Sequence, residues 1–258
     1  MLNFRSINIL LTSLSLLVVI AFFLEKLSLW WLLLIALAWL VITALGSGLI
    51  GLNYYFKSLN YRSNETQNRI AITFDDGPNL EFTPKVLELL RQYNAKATFF
   101  CIGKYVEAQP NLVKQIIDEG HVIGNHTYSH SNNFGVFSTQ KVKAELERTN
   151  IVFEKLTGLK MKLYRPAFGV TNPKIKRAVK ALQLQSIGWN KRSLDTTSRS
   201  QDIIFKRVTT DLKPGDVILL HDTSQKTVDT LEQLLLFLQK QNLKSVSIDT
   251  LFNIKAYA

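Results

Sequence analysis

Apolar positions run almost unbroken through the first 56 residues. From residue 69 onward they split into short blocks separated by longer stretches of mixed polarity. The blocks IAITF, ATFFCI, HVIGN, MKLY, QSIGW, DVILL and SVSI have strand length. The stretches between them, at 83–92, 105–119, 138–157, about 172–182, 201–212 and 226–241, read as amphipathic helices. Such alternation predicts βα units around a parallel sheet. Seven or so units in about 190 residues predict an α/β fold of the barrel kind, incomplete or distorted, with an open doubly wound sheet as the alternative.

The amino-terminal part follows a different pattern. Residues 7–24 carry no charge, residues 27–56 carry none either, and Glu25 and Lys26 stand between them. At about 1.5 Å per residue each stretch can cross a hydrocarbon core roughly 30 Å thick. Two transmembrane helices, at about 7–24 and 29–53, are therefore expected to form a hairpin in the cell membrane. Trp30 and Trp31 at one end and Tyr54 and Tyr55 at the other are placed as interfacial anchors. A signal peptide followed by a buried helix is the alternative, but no A-x-A-like cleavage site follows the first segment. Residues 57–68, KSLNYRSNETQN, read as a polar linker to a soluble domain at 69–258. Arg5, the amino terminus, Lys57 and Arg62 share one side of the hairpin, which by the positive-inside rule is the cytoplasm.

The net charge is +11, and all but one unit of it falls after residue 56. Such an excess suits anionic lipid headgroups, acidic glycans or nucleic acid. It is spread without a basic run or interleaved aromatics, so no nucleic-acid partner is expected. The single cysteine, Cys101, lies in an apolar block and is expected in the core, and it excludes an internal disulfide.

Chemistry in parallel α/β folds gathers at the carboxyl ends of strands. Here DD follows IAITF, HTYSH follows HVIGN, RPAFG follows MKLY, NKRSLD follows QSIGW, and HDT follows DVILL. His126, His130 and His221 all fall at such ends, whereas His121 opens a strand at the opposite end and is expected to be structural. His126 and His130 are four apart, which on a helical turn puts both imidazoles on one face. One carboxylate of the adjacent pair Asp75 and Asp76 would complete the open three-ligand site that catalytic zinc uses. The other acid is then free to take a proton from a metal-bound water. Read by itself, FDDGP is also a turn with a helix cap. Two histidines and a carboxylate equally describe a non-haem iron oxygenase site.

These motifs, TFDDGP, ATFFCIGKYVE leading into EGHVIGNHTYSH, RPAFG and LLHD, occur in the order found in polysaccharide deacetylases (NodB homology domain, carbohydrate esterase family 4), and residues 70 to about 250 resemble that domain. The resemblance implies a distorted (β/α)7-type barrel and a hydrolase that removes acetyl groups from N-acetylated or O-acetylated sugars of a polysaccharide or glycan precursor. It implies a divalent metal, zinc foremost, on Asp76, His126 and His130, with Asp75 as general base. Arg165 would pair bidentately with Asp75, the Phe168 backbone N–H would meet the oxyanion, and His221 would be the acid oriented by Asp195, with Asp222 left to the scaffold. The chain departs from the family where Thr196, instead of the usual tryptophan, follows Asp195. An inactive, membrane-anchored glycan-binding or assembly protein is the alternative reading. Family members that trim exported glycans work outside the cytoplasmic membrane, against the inward charge bias.

Overall fold

The computed structural model describes residues 3–258; the amino terminus counted in the charge argument lies outside them. Two long apolar helices come first, α1 (Phe4–Phe23) and α2 (Trp30–Gly48), and pack against each other as a hairpin. Most of their large apolar side chains face outward, as is expected of helices whose solvent is lipid. Asn3 caps α1 through a reciprocal bond with Ser6. Trp30 and Trp31 are exposed at the far end. Tyr54 and Tyr55, expected as anchors, are instead buried: Tyr54 packs edge-on against Phe4 and Tyr55, and its ring leaves no room for a side chain at Gly46.

The remainder winds as β1 (Arg69–Asp75), α3 (Thr83–Gln92), β2 (Ala97–Cys101), α4 (Gly103–Ala108), α5 (Pro110–Asp118), β3 (Val122–Asn125), α6 (Thr139–Thr157), β4 (Leu163–Tyr164), α7 (Pro173–Ala181), β5 (Gln185–Ser186), β6 (Lys191–Arg192), α8 (Gln201–Thr209), β7 (Val217–His221), α9 (Gln225–Lys240), β8 (Lys244–Ser245) and α10 (Ile248–Phe252). The strands are all parallel, in the order β5-β4-β3-β2-β1-β7-β6, with β8 added to β1. They form a curled half-barrel, as expected for the NodB-like fold. β1 lies inside it, with Asp75 in register with Phe100 of β2 on one side and His221 of β7 on the other.

Local chemistry sets the boundaries. The single helix expected at 105–119 is two, because Pro110 has no N–H to continue α4 and instead opens α5. Ser138, Asn172, Ser200 and Ser224 cap α6, α7, α8 and α9. Gly158 closes α6 at φ 75°, a conformation that costs a side-chain-free residue nothing. Segment 57–62, expected as a linker, joins the sheet: Leu59 bridges Ile187 in parallel and Tyr61 bridges Asp216, while Ser58 and Ser186 share a buried hydrogen bond of 2.8 Å. It thereby fills the gap between β5 and the start of β7.

The main core lies between the sheet and α3, α5 and α9, where Ile72, Phe74, Phe99, Ile116, Leu231 and Leu234 are all fully or almost fully buried. Cys101 belongs to it, and burial pushes its thiol well up. Phe74 and Phe99 stack across β1 and β2 with centroids 5.0 Å apart. Phe99→Ala is expected to cost about 3–5 kcal/mol, read as a lower denaturation midpoint with unchanged slope in urea unfolding of the detergent-solubilised chain.

Candidate active site

Period-two geometry places Thr73 and Asp75 of β1 on one face of the strand. Asp76 would point the other way if the strand continued, but it leaves extended backbone at φ 73°. That left-handed residue is how two adjacent acids come to line the same cavity. The following Gly77 is tightly enclosed: a Cβ there would fall 2.4 Å from Asp222 Oδ2.

His126 and His130 do not sit on a helical turn. They flank a loop in which Thr127 (φ 66°) and His130 (φ 49°) are both left-handed. The Thr127 hydroxyl accepts the His130 N–H at 3.1 Å, and Asn125 Oδ1 accepts the Thr127 N–H at 2.9 Å. Loop hydrogen bonds thus achieve the convergence expected of helical spacing. His126 Nε2 lies 3.4 Å and His130 Nε2 3.3 Å from the same oxygen, Asp76 Oδ1. That oxygen is buried and has no hydrogen-bond partner. His126 Nδ1 faces the Arg165 carbonyl at 3.0 Å, so it carries the proton and leaves the Nε2 lone pair free.

The donor set fits a divalent cation. Ligands 2.0–2.1 Å from a tetrahedral ion stand about 3.3 Å from one another, close to the separations seen. A buried, unpartnered carboxylate oxygen is costly without a cation. Burial works against ionisation of Asp76, but the close approach of His126 and the positive charge that His126, His130 and His221 can carry outweigh it and hold the carboxyl well below the usual range. Burial, together with His126, lowers His130 to about 4, which favours the neutral imidazole a metal needs.

Arg165 is fully buried. Its Nη1 donates to Asp75 Oδ1 at 2.8 Å and to Thr73 Oγ1 at 2.7 Å, and its Nη2 donates to the Gly188 carbonyl at 2.9 Å. The pairing with Asp75 is therefore through one nitrogen and not bidentate as expected; the rest of the fork is spent on β1 and the chain after β5. His221 stands across the cavity, with Nε2 4.0 Å from Asp76 Oδ2. Asp195 Oδ1 meets His221 Nδ1 at 2.8 Å, and Asp195 Oδ2 accepts the His221 backbone N–H at 2.8 Å. Ser193 and Thr227 donate to the same carboxylate. Burial disfavours the His221 imidazolium, but Asp195 more than compensates and pushes its pKa up to about 9.

Phe168 sits at φ 58° with its ring 4.5 Å from that of His130 and is half exposed. Together with Trp189, Arg192, Leu194 and Thr196 it lines a cavity of about 210 Å³ over Asp75, Asp76 and His221. A second cleft of about 570 Å³, lined by Asn79, Leu80, Lys104 and Tyr105, shares Asp76 and His130 with it. Sequence reasoning passed over Thr73 and Trp189. Period-two spacing from Asp75 marks the first, and the end of an apolar block marks the second. Asp222 accepts from the Thr83 hydroxyl, and burial raises it to about 7, which fits a place in the scaffold. His121, lowered to about 4 by burial, accepts the Ala97 N–H at 3.2 Å, away from the site.

Residues 62–187 match the polysaccharide deacetylase family model. A peptidoglycan-N-acetylglucosamine deacetylase of Bacillus cereus is 39% identical over 194 residues, which span 72% of this chain and 89% of that enzyme. The chain belongs to the polysaccharide deacetylase family. It is thus a hydrolase of the NodB, carbohydrate esterase family 4 type. A peptidoglycan-N-acetylmuramic acid deacetylase of Bacillus subtilis is 32% identical over 74% of each chain. A crystal structure of a peptidoglycan N-acetylglucosamine deacetylase in complex with a naphthalenyl N-oxidanyl-benzamide superposes with a TM-score of 0.73 at 35% identity, covering 78% of this chain and 94% of that one.

Asp195→Asn removes the carboxylate that raises His221. The His221 pKa is expected to fall from about 9 toward the ordinary histidine value of about 6.5, measured by following its Cε1 proton through an NMR titration of the metal-free protein.

Proposed function

We propose that this chain hydrolyses the acetamido group of N-acetylated amino sugars in peptidoglycan or its saccharide precursors, using a divalent cation, zinc foremost, held by Asp76, His126 and His130. The observation that carries the reading is the shared oxygen: two imidazole nitrogens converge on one buried, otherwise unpartnered atom of Asp76 beside a second carboxylate. Relatives that act on N-acetylglucosamine or N-acetylmuramic acid of peptidoglycan support the substrate class.

A divalent cation bound there supplies a Lewis acid that acidifies water and polarises the acetyl carbonyl. Asp75, held in place by Arg165, accepts the proton of the attacking water. The new C–O bond forms as the carbonyl π electrons move to oxygen, and the Phe168 N–H donates to that developing charge, a contribution of about 3 kcal/mol when well aimed. His221 carries a proton on Nε2, since Asp195 holds Nδ1 and keeps the ring protonated through neutral pH. It passes that proton to the sugar nitrogen as the C–N bond breaks, leaving acetate and a free amine. Trp189 and Phe168 wall the small cavity, which suits an acetyl methyl, and Thr196, which follows Asp195 in place of the family's usual tryptophan, lines the same cavity. The larger cleft, with Tyr105 and Lys104, has room for neighbouring sugars.

We further propose that α1 and α2 anchor the domain, residues 69–258, to the cell membrane as a two-pass hairpin, on the strength of their length and apolar surface. A reporter fused to the carboxyl terminus reads which side the domain faces.

The direct test is acetate release from a panel of acetylated oligosaccharides with and without chelator; release that chelator abolishes and zinc restores is the expected result. Asp75→Asn is expected to retain metal while turnover falls about 100-fold or more, whereas His126→Ala loses both. Metal content by elemental analysis beside the acetate assay separates the two. Tyr105→Ala is expected to raise KM for long oligosaccharides several-fold and leave kcat on the shortest substrate unchanged, measured by steady-state kinetics over a series of chain lengths.

A further inference from the structure

The hairpin is not tethered loosely to the domain. The last turn of α2 is hydrogen-bonded to it: the Thr171 N–H donates to the Ser47 carbonyl at 2.9 Å, the Ser47 hydroxyl to the Thr171 carbonyl at 2.7 Å, and the Thr171 hydroxyl to the Gly46 carbonyl at 3.2 Å. Thr171 ends the loop that carries Phe168 over the metal-site histidines. Three residues span at most about 11 Å, so the wall of the cavity lies within that distance of Thr171, which is itself hydrogen-bonded to the end of α2.

The surroundings suit a bilayer surface. Val136 is 74% exposed and Phe168 47%, and the loop of Val136 is tied to the same region, since Asn172 donates to the Gly135 carbonyl at 2.8 Å. Beyond Thr171, α7 exposes Lys174, Lys176, Arg177 and Lys180 and carries no acidic residue. Apolar tips beside a cationic helix are what an anionic headgroup layer receives well. Ile50 also reaches the chain after β5, within 3.3 Å of where a Cβ on Gly188 would lie, next to Trp189 of the cavity wall. The base of the hairpin therefore touches both loops that wall the acetyl cavity.

We infer that the catalytic cavity opens at the headgroup layer of the bilayer and takes acetylated saccharides still attached to a lipid anchor. This rests on the membrane-anchoring and deacetylase readings above. Sugar units released from the membrane, or many units distant from it, diffuse to the mouth only occasionally, whereas a lipid-anchored saccharide is confined to the same plane and held at high effective concentration.

The test uses the full chain in proteoliposomes with an environment-sensitive fluorophore on Leu37→Cys (mid-hairpin), Val136→Cys and, as a remote control on α9, Leu236→Cys; the unsubstituted chain, whose Cys101 is buried, is the blank. Brominated phospholipid is expected to quench the label at 37 and at 136 by half or more and to leave that at 236 unchanged. Quenching at 37 with 136 behaving like 236 overturns the inference and leaves the anchor standing; quenching at none of the three removes the anchor and the inference together. In the same vesicles, acetate release from an N-acetylglucosamine oligosaccharide on a lipid tail with a short spacer is expected to exceed release from the untethered sugar, or from one on a long polymer spacer, by about tenfold or more. Equal rates on all three overturn the substrate assignment while the deacetylase reading survives; release from none, with zinc supplied, overturns both.

Discussion

A buried guanidinium organises this domain. Arg165 is wholly removed from solvent, and so bare a charge would cost several kcal/mol without partners. It has them on three sides: Asp75 and Thr73 of β1, and the carbonyls that follow β5. The rings of Phe100 and Trp189 lie 4.1 Å and 5.5 Å from it. Because β1 lies inside the sheet and β5 at its end, with three strands between them, the contact ties together two strands that do not pair. Its own carbonyl then fixes the His126 ring. One residue thus couples curvature of the sheet to the orientation of both a carboxylate and an imidazole.

The site balances charge in the same way. Asp75 faces a permanent cation, Asp76 faces two imidazoles, and Asp195 faces the third. Each acid is matched to a different base, so the environments push neighbouring groups toward different protonation states. Separated roles for chemically similar residues follow from that arrangement.

The order of strands and helices was legible because apolar blocks about three to five turns of helix apart leave few alternatives to a parallel sheet. The cluster of ionisable residues at strand ends was legible for the same reason. What the pattern could not show was how the candidate ligands meet. His126 and His130 come together through left-handed backbone at Thr127 and His130, which spacing alone mimics as a helical turn. Asp76 joins them through another left-handed residue. Likewise the polarity of 57–62 concealed its strand pairing, since its bonds to β5 and β7 run through the main chain, which composition does not report. Tyr54 and Tyr55 look like interfacial aromatics in sequence, but contact with Phe4 and Gly46 buries them.

That pairing of 57–62 has a further consequence. A segment that both continues the apolar hairpin and plugs a seam of the sheet ties the two together: until Leu59 reaches Ile187, the edge of β5 stands open, with unpaired main-chain groups that a second chain could occupy. The segment at 57–62 therefore covers that edge in cis, and a domain shortened past Leu59 would be released as a molecule prone to associate edge to edge.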